Sequence, residues 1–279
     1  MVHIPFGNIH IGRGHPLTII AGPCVIENET LVLQTAEHLV DVTRRLGVPL
    51  VFKSSYKKAN RTALNSFVGL DFAVALGILE KVRRRLNVPV LTDVHTELEV
   101  PVVAEVVDVL QIPAFLSRQT DLLLAAGRTG RVVNIKKGQF LAPEDMFQAA
   151  EKVASTGNRQ ILLTERGTTF GYHNLVVDMR GLVIMARSGY PVVYDATHSV
   201  QLPGGAGTVS GGQPEFILPL ARAAVATGAV QAVFMEVHPN PSRALSDAHT
   251  QLPLEQFEPL LRRLLAVYSV VQQNKGETG

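Results

Sequence analysis

The chain has 279 residues, 46% of them hydrophobic, which is enough for one large α/β barrel or for two ordinary domains. Its 26 basic and 24 acidic residues give a formal net charge of +2 without a basic tail, which argues against nucleic acid as a partner. The single cysteine, Cys24, excludes an internal disulfide, and no apolar run reaches the roughly 18 residues of a membrane span. We therefore expect a soluble, cytoplasmic protein with no targeting signal in residues 1–7.

Short runs rich in Val, Ile and Leu recur along the chain and are continuous rather than alternating in polarity, as in parallel strands covered on both faces. They predict eight strands, at residues 17–22, 49–53, 89–92, 106–112, 131–135, 160–164, 191–194 and 232–235. Helical periodicity predicts helices at residues 30–46, 70–86, 120–127, 142–155, 175–188, 215–227 and 254–273. Because strand and helix alternate throughout, the predicted fold is α/β, a single (β/α)8 TIM barrel.

The rival architecture is an open, doubly wound sheet. Its usual Gly-x-Gly-x-x-Gly signature is missing, since Ala-Gly-Pro-Cys occupies residues 21–24 after the first strand. Residues 1–16 alternate in polarity around a Gly-Asn turn and predict a short N-terminal hairpin, followed by a barrel domain at residues 17–279. The glycine-rich segment 201–212 is predicted to act as a lid over a functional site.

Polar residues follow the predicted strands, at the end of the barrel where such folds build their active sites. These residues are Cys24, Lys53, Ser54, Ser55, Asp93, His95, Gln111, Lys136, Lys137, Glu165, Arg166, Asp195, His198, Glu236 and His238. Any one of them is equally well explained as a turn residue, but few belong to the usual turn formers. No Gly-x-Ser-x-Gly elbow and no His-Glu-x-x-His motif occurs, which disfavours a serine hydrolase and a zinc protease.

Two chemical sets emerge from these residues and their neighbours. The cationic set consists of Lys53, Lys58, Arg61, Lys136 and Arg166. Such cations repel one another in one cleft unless the ligand carries several negative charges, as phosphate esters and carboxylates do. The donor set consists of Cys24, His198, Glu236 and Asp247. Its S, N and O donors fit zinc, iron or manganese. Taken alone, however, Cys24 is better explained as a buried hydrophobic residue and Asp247 as a helix cap or turn residue. The spacing of these residues therefore does not decide whether they form a metal site.

Nine short motifs lie in order between about residues 17 and 253. They are Ala-Gly-Pro-Cys at 21–24, Phe-Lys-Ser-Ser at 52–55, Lys-Ala-Asn-Arg at 58–61, Leu-Thr-Asp-Val-His at 91–95, Gln-Ile-Pro-Ala-Phe-Leu-Ser-Arg-Gln-Thr-Asp at 111–121, Val-Asn-Ile-Lys-Lys at 133–137, Thr-Glu-Arg-Gly at 164–167, Tyr-Asp-Ala-Thr-His-Ser-Val-Gln at 194–201 and Glu-Val-His-Pro at 236–239. Together they resemble the 3-deoxy-D-manno-octulosonate 8-phosphate synthases. The resemblance implies a (β/α)8 barrel, usually a homotetramer, that condenses phosphoenolpyruvate with arabinose 5-phosphate and water for lipopolysaccharide synthesis.

The resemblance also implies roles for single residues. Members of that family with Cys after Gly-Pro depend on a metal and those with Asn do not, so a divalent ion of the zinc, iron or manganese type is implied, without an organic cofactor. Its implied ligands are Cys24, His198, Glu236 and Asp247. The implied catalytic residues are Cys24, Lys136, His198 and Asp247. The implied substrate contacts are Lys53, Ser55, Lys58, Lys136 and Arg166 for phosphoenolpyruvate, Asn60, Arg61 and, across a subunit interface, Arg118 for the sugar phosphate, and Asp93, Phe115 and Gln201 at further positions.

The chain departs from the pattern of that family at three positions. Thr62 replaces a common Ser, Val68 replaces a usual Arg, and Lys57 stands where an acidic residue is often found. The nearest alternative is the related synthase that uses erythrose 4-phosphate, against which the Ala-Asn pair at 59–60 argues. A more distant alternative is a barrel that binds phosphorylated ligands without catalysis.

Overall fold

The computed structural model of the chain, which describes residues 1–61, 64, 66–205 and 210–276, contains a closed parallel barrel. Within those residues its eight strands are β1 (Thr18–Gly22), β2 (Leu50–Lys53), β3 (Val90–Asp93), β4 (Val109–Ile112), β5 (Val132–Lys136), β6 (Ile161–Glu165), β7 (Val192–Asp195) and β8 (Val230–His238). Each strand pairs with the next, and β8 also pairs with β1, which closes the sheet. The predicted barrel is confirmed, and the predicted strands agree to within three residues at either end.

Helices connect the strands on the outside of the barrel. In the described part of the chain these are α1 (Glu29–Leu46), α2 (Phe72–Leu86), α3 (Glu99–Val106), α4 (Thr120–Arg128), α5 (Asp145–Ala154), α6 (Met179–Ala186), α7 (Ile217–Ala226) and α8 (Phe257–Gly276). None of them is both long and apolar enough to cross a membrane. Seven correspond to predicted helices, and α3 was missed because its valines are typical of strands.

The helix predicted at residues 175–188 was predicted to begin four residues too early, since α6 begins at Met179. Leu175–Val176 pairs with Thr168–Thr169 as a short antiparallel ladder, and α6 starts only after Asp178. The Asp178 side chain caps that helix by accepting a hydrogen bond from the backbone N–H of Arg180. The local cap therefore outweighs the apolar periodicity that continues upstream of it.

The sequence signals at the ends of α1 illustrate why its boundaries were predictable. Asn28 Oδ1 accepts a hydrogen bond from Leu31 N at 2.9 Å, which satisfies one of the free donors of the first turn. Gly47 ends the helix with φ 65°, a left-handed conformation that costs a residue without a side chain little. Strand β2 begins three residues after this glycine, at Leu50.

The predicted N-terminal hairpin is present and closes the amino-terminal end of the barrel. Its strands, Val2–Ile4 and Ile9–Ile11, pair antiparallel with Val2 opposite Ile11. Their four apolar side chains are buried in one cluster with inward-facing barrel residues such as Ile20 and Phe234. The division of the chain into a hairpin and a barrel domain at residue 16 stays a prediction.

The predicted lid segment is partly described. Gln201–Leu202 pairs with Gly211–Gly212, so the two ends of the loop meet as a short antiparallel ladder. Gly212 is required there, because an added Cβ would lie 2.8 Å from the backbone oxygen of His249. Residues 206–209 in the middle of the loop, and Thr62, lie outside the described residues, and the lid role stays a prediction.

Candidate active site

The carboxyl ends of the barrel strands enclose a cleft. It consists of two adjoining cavities with volumes of about 250 and 60 Å³. Both cavities are lined by Lys58, Asn60, Phe115, Gln139, Arg166 and His198. The smaller is also lined by Lys53, Asp93, Lys136 and Glu236, and the larger by Arg61, Gln201 and Asp247. Most of the substrate-binding residues predicted from the sequence therefore converge on one cleft.

A sulfur and two carboxylates meet at this mouth. Ligand atoms of Cys24, Glu236 and Asp247 all lie within 4.8 Å of one another. Cys24 Sγ donates to Asp247 Oδ2 at 3.0 Å, and Lys58 Nζ lies 3.1 Å from the sulfur and 2.9 Å from the same carboxylate oxygen. The mixture of S and O donors suits a borderline divalent metal, and the Lys58 ammonium shows that positive charge is favoured at this point.

His198 lies beside this cluster and is not part of it. Its Nε2 is 3.6 Å from Glu236 Oε2, and its Nδ1 is 2.8 Å from Asp195 Oδ2. Asp195 also accepts a hydrogen bond from the His198 backbone N–H at 3.0 Å, so one buried carboxylate contacts both the ring and its backbone. Three of the four predicted metal ligands are thus grouped by the structure, and the fourth borders them through Glu236.

The electrostatics of the cluster fit a bound cation. Burial, followed by the nearby Glu236 carboxylate, raises the pKa of the Cys24 thiol well above its usual value, so the thiolate requires additional positive charge. Burial works against ionisation of Asp247, but Lys58 and His198 hold its pKa well below the usual range. Glu236 Oε2 has no hydrogen-bond partner among the described residues and is free to take a ligand. The donor set is therefore chemically suitable for a metal ion.

Three members of the cationic set are paired with carboxylates. The Lys53 ammonium lies 2.5 Å from Glu236, that of Lys136 lies 2.7 Å from Asp195, and that of Lys58 contacts Asp247. These pairs correct the expectation that only an anionic ligand would offset repulsion within the set, because the protein supplies acidic partners of its own. The presence of these cations in one cleft therefore supports a doubly anionic ligand less strongly than the sequence alone indicated.

The two arginines of the set retain free donors. Arg166 is buried and gives one nitrogen to Gln201 Oε1 at 2.9 Å, while its Nη1 has no partner among the described residues. Arg61 donates to the backbone oxygen of Lys58 at 2.7 Å, and its Nε is likewise without a partner. Both side chains line the larger cavity. Guanidinium groups that line a cleft and have a nitrogen without a partner are suited to phosphate or carboxylate oxygens.

A chain of hydrogen-bonded polar residues, the polar ladder, runs beneath the smaller cavity and reaches it at Asp93 and Gln111. Asp93 accepts hydrogen bonds from Ser55 Oγ and Gln111 Nε2, Gln111 accepts one from Asn134 at 2.8 Å, and Asn134 accepts one from Thr164 at 2.6 Å. Burial opposes ionisation of Asp93, but Lys53 and His95 hold its pKa below the usual range. The ladder therefore carries one negative charge, held rigidly at the bottom of the cleft.

The sequence matches the profile described as the DAHP synthetase I family over residues 2–272. The chain belongs to that family. A 2-dehydro-3-deoxyphosphooctonate aldolase of Syntrophotalea carbinolica is 57% identical over 267 residues, which cover 96% of each chain. Proteins with the same name from Trichlorobacter lovleyi and Desulfosudis oleivorans are each 56% identical, over 96% and 98% of this chain and 98% of their own length.

Three predicted site residues of this family member do not face the cleft in the expected way. Arg118 is exposed and does not line either cavity, and its backbone oxygen accepts a hydrogen bond from Lys152 at 3.3 Å. Ser55 is fully buried and gives its hydroxyl to Asp93. Cys24 is fully buried, and its sulfur contacts Asp247 and Lys58. Their predicted roles in binding stay predictions.

Other residues at the mouth were missed in the sequence. Gln139 lines both cavities, and the only signal for it is its position three residues after Lys136, which ends β5. Tyr56 and Glu99 form a hydrogen-bonded pair beside the cleft. Glu99 belongs to the helix that was itself missed, so no pattern connected it with the site.

Proposed function

We propose that this chain is a 2-dehydro-3-deoxyphosphooctonate aldolase, which condenses phosphoenolpyruvate with D-arabinose 5-phosphate and water and releases phosphate, for lipopolysaccharide synthesis. The observation that carries the proposal is a cleft lined by Arg61 and Arg166, each with one nitrogen that has no partner among the described residues, together with Asp247 of the Cys24, Glu236 and Asp247 donor cluster. The name carried by relatives 56–57% identical supports the same activity.

The chemistry defines what the protein must do. Carbon C3 of phosphoenolpyruvate attacks the sugar aldehyde carbon, a carbon-carbon bond forms, and the aldehyde oxygen takes up a proton. Water adds at C2 and loses a proton, and the hemiketal phosphate then releases phosphate as its C–O bond breaks. Alignment of two anionic substrates is therefore the main task, and good alignment lowers such barriers by up to about 7–11 kcal/mol.

The charged residues divide this task between them. Arg166, Lys53, Lys58 and Lys136 hold phosphoenolpyruvate in the proposed complex, with Ser55 and Asp93 at the floor of the cleft. The sugar phosphate lies against Asn60 and Arg61, with Phe115 and Gln201 completing the wall of the larger cavity. In this proposal, proton transfer or metal binding is assigned to Cys24, Lys136, His198, Glu236 and Asp247.

Lys136 and His198 share one orienting carboxylate. Lys136 Nζ is 2.7 Å from Asp195 Oδ2, and His198 Nδ1 is 2.8 Å from the same oxygen. In the proposed reaction Asp195 holds both groups toward the cleft, where Lys136 donates to substrate oxygens and the imidazole carries the proton of the added water. Phe234, whose ring centroid is 3.9 Å from Lys136 Nζ, keeps this ammonium out of water.

The donor cluster is assigned to a divalent ion of the zinc, iron or manganese type, with no organic cofactor. When bound, such an ion supplies positive charge that polarises an oxygen or lowers the pKa of bound water. Cys24, Glu236 and Asp247 would hold it, with His198 at their border. The proposal assigns the chain to the metal-dependent group on the presence of Cys24.

Two substitutions separate the metal's role from simple orientation. Cys24→Ala should lose both bound metal and activity, whereas Cys24→Asn should lose metal and keep a measurable rate if orientation of water and aldehyde suffices. Metal content by elemental analysis and phosphate release would be measured on the same samples. A folded Cys24→Asn protein with no activity would contradict the orientation idea.

One assay tests the activity itself against both alternatives. Purified protein would be incubated with phosphoenolpyruvate and either arabinose 5-phosphate or erythrose 4-phosphate, and released phosphate would be measured. We expect turnover with the five-carbon sugar. Faster release with erythrose 4-phosphate would favour the related synthase that uses this sugar, and tight ligand binding without release would favour a barrel that binds phosphorylated ligands without catalysis.

We also propose a cytoplasmic homotetramer in which Arg118 reaches the sugar phosphate of a neighbouring subunit. Support comes from the exposure of Arg118, three residues after the cleft residue Phe115, which is itself 52% exposed. Phe170 and Tyr172, in the turn between the strands Thr168–Thr169 and Leu175–Val176, are 69% and 97% exposed. Light scattering after size-exclusion chromatography measures the assembly. A stable monomer with full activity would contradict both parts.

A further inference from the structure

Glu99, the first residue of α3, collects an unusual number of hydrogen bonds at the edge of the cleft. Its Oε2 accepts from the Tyr56 hydroxyl at 2.7 Å and from the backbone N–H groups of His95 and Thr96 at 3.1 and 3.2 Å. Its Oε1 accepts from the Lys57 ammonium. The Glu99 side chain is only 18% exposed, so these contacts are largely shielded from water.

These contacts join two neighbouring loops of the barrel mouth. His95 and Thr96 follow β3, whereas Tyr56 and Lys57 follow β2. Tyr56 is 1% exposed, and its ring meets those of Phe72 and His95 edge to face, with centroids 5.1 and 5.5 Å apart. The aromatic contacts fix the ring, and the carboxylate fixes its hydroxyl and the next residue. Glu99 therefore joins the β2 loop to the β3 loop.

The β2 loop is the segment that carries substrate-binding residues. Lys58 immediately follows Lys57, and Asn60 and Arg61 come next. The Lys58 N–H donates to the Val68 oxygen at 2.7 Å, and Lys57 forms an isolated bridge with Gly69. Gly69, at φ 139°, has no room for a side chain, because a Cβ would lie 2.5 Å from the oxygen of Tyr56. The backbone path at Tyr56 and Lys57 thus determines where the Lys58 ammonium arrives.

The negative charge of Glu99 distinguishes between two neighbouring lysines. Lys57 and Lys58 are adjacent cations, yet Lys57 turns to Glu99 while Lys58 turns to Cys24 and Asp247. Burial opposes ionisation of Glu99, but hydrogen bonds from Lys57, Tyr56 and the His95 backbone lower its pKa to about 2. The carboxylate is therefore ionised at neutral pH and holds Lys57 away from the acidic groups of the cleft.

We infer that Glu99 is a positioning residue: by holding Tyr56 and Lys57, it sets the register of the β2 loop so that Lys58, and not Lys57, enters the cleft. This inference rests on the proposed function for its kinetic consequences. It does not rest on it for anion binding, since the affinity for phosphate can be measured without turnover.

Kinetic measurements on Glu99→Gln and Glu99→Ala would test the inference. Gln keeps an acceptor for Tyr56 and the backbone, whereas Ala keeps nothing, so we expect the KM for the sugar phosphate to rise about threefold and about tenfold, with kcat changed less. A merely structural residue would reduce the amount of active protein and therefore kcat, without changing KM. Glu80→Gln, which alters an exposed pair with Arg84, is the matched control and should leave KM unchanged.

The Lys57 pair is tested by a double-mutant cycle. Lys57→Met should raise KM by about as much as Glu99→Gln, and the double variant should be no worse than either single variant, because both remove the same ion pair. Additive effects would contradict the pairing, and restored KM in the double variant would mean that an unpaired Lys57 is what disturbs the cleft. Lys57→Met also serves if Glu99→Ala does not fold.

Calorimetric titration with inorganic phosphate separates this inference from the proposed activity. We expect Glu99→Ala to bind phosphate about tenfold more weakly than the unaltered protein, and Glu80→Gln to bind it equally well. Unchanged phosphate affinity and unchanged KM in a folded Glu99→Ala protein would overturn the inference. Absence of turnover in the unaltered protein would instead overturn the proposed function and leave the phosphate result to decide on Glu99.

Discussion

At the amino-terminal end of the barrel the hairpin buries Ile4 and Ile11 against apolar strand residues, whereas the carboxyl end buries Lys53, Lys136 and Arg166 within a polar cleft. The first arrangement gains free energy by removing apolar surface from water, at about 25 cal/mol per Å². The second costs free energy, because buried charges lose their hydration. Only close partners of opposite charge offset that loss. One end of the same sheet is thus built for stability and the other for chemistry.

The partners at the charged end are specific. Lys53 pairs with Glu236 and Lys136 pairs with Asp195, and all four side chains are at most 7% exposed. At the other end, an apolar residue can be replaced by a similar one, and the loss in the free energy of unfolding then depends on the change in side-chain volume. Removal of a charge at this end takes away the closest opposite charge of a buried partner. The predictions below use this difference, beginning with the largest effect.

Lys53→Met should destabilise the fold by about 3–5 kcal/mol and abolish turnover, because it leaves the buried Glu236 carboxylate without its closest cation. Urea unfolding and the phosphate-release assay measure the two effects. Adding Glu236→Leu to the same chain should recover most of the stability and none of the activity. If the double variant is as unstable as the single one, the loss arises from packing rather than from the unpaired charge.

Ile11→Ala at the opposite end should destabilise the fold by about 2–3 kcal/mol, in the lower part of the range for such truncations, because a terminal hairpin can settle into the space. Turnover per folded molecule should be unchanged, since the hairpin lies at the far end from the cleft. The same unfolding and activity measurements apply, with Ile11→Val as the milder control. A fall in kcat/KM at full folding would show that the two ends are coupled.

The Glu99 carboxylate predicts a pH effect on stability. Its pKa is about 2 in the folded protein and about 4.3 in an unfolded chain, so the ionised form stabilises the fold above about pH 4.3 and this stabilisation is lost as the pH falls through about 2. The free energy of unfolding of Glu99→Gln should therefore lie furthest below that of the unaltered protein at pH 7. At pH 3 the gap should be smaller, and an equal gap at both pH values would contradict the assignment.

The smallest effect is expected at an exposed ion pair. Arg84 and Glu80, with side chains 74% and 41% exposed, form an i,i+4 contact on α2. Arg84→Gln should change the free energy of unfolding by no more than about 0.5 kcal/mol and leave KM unchanged. A loss comparable to that of Lys53→Met would mean that burial does not distinguish the charges of this protein.

Some residues of the site could be predicted from their own position in the sequence. Lys53, Asp93, Lys136 and Arg166 were predicted as site residues because each ends or follows an apolar strand, and such positions converge in any parallel barrel. Glu99 was not predictable in this way, because its valine-rich helix resembles a strand in sequence. Its partners Tyr56 and Lys57 lie 43 and 42 residues away, so only the fold connects them to it.

The sequence by itself determined the barrel, the hairpin and the set of chemical groups at the mouth, since these depend on local periodicity and on the fixed direction of parallel strands. Tertiary structure alone decided how those groups are paired. It grouped Cys24, Glu236 and Asp247 and left His198 at their border, and it turned Lys57 and Lys58 to different acids. The physical reason is that charge pairing in a buried cleft depends on distances of a few ångströms between side chains from different strands, which spacing along the chain does not encode.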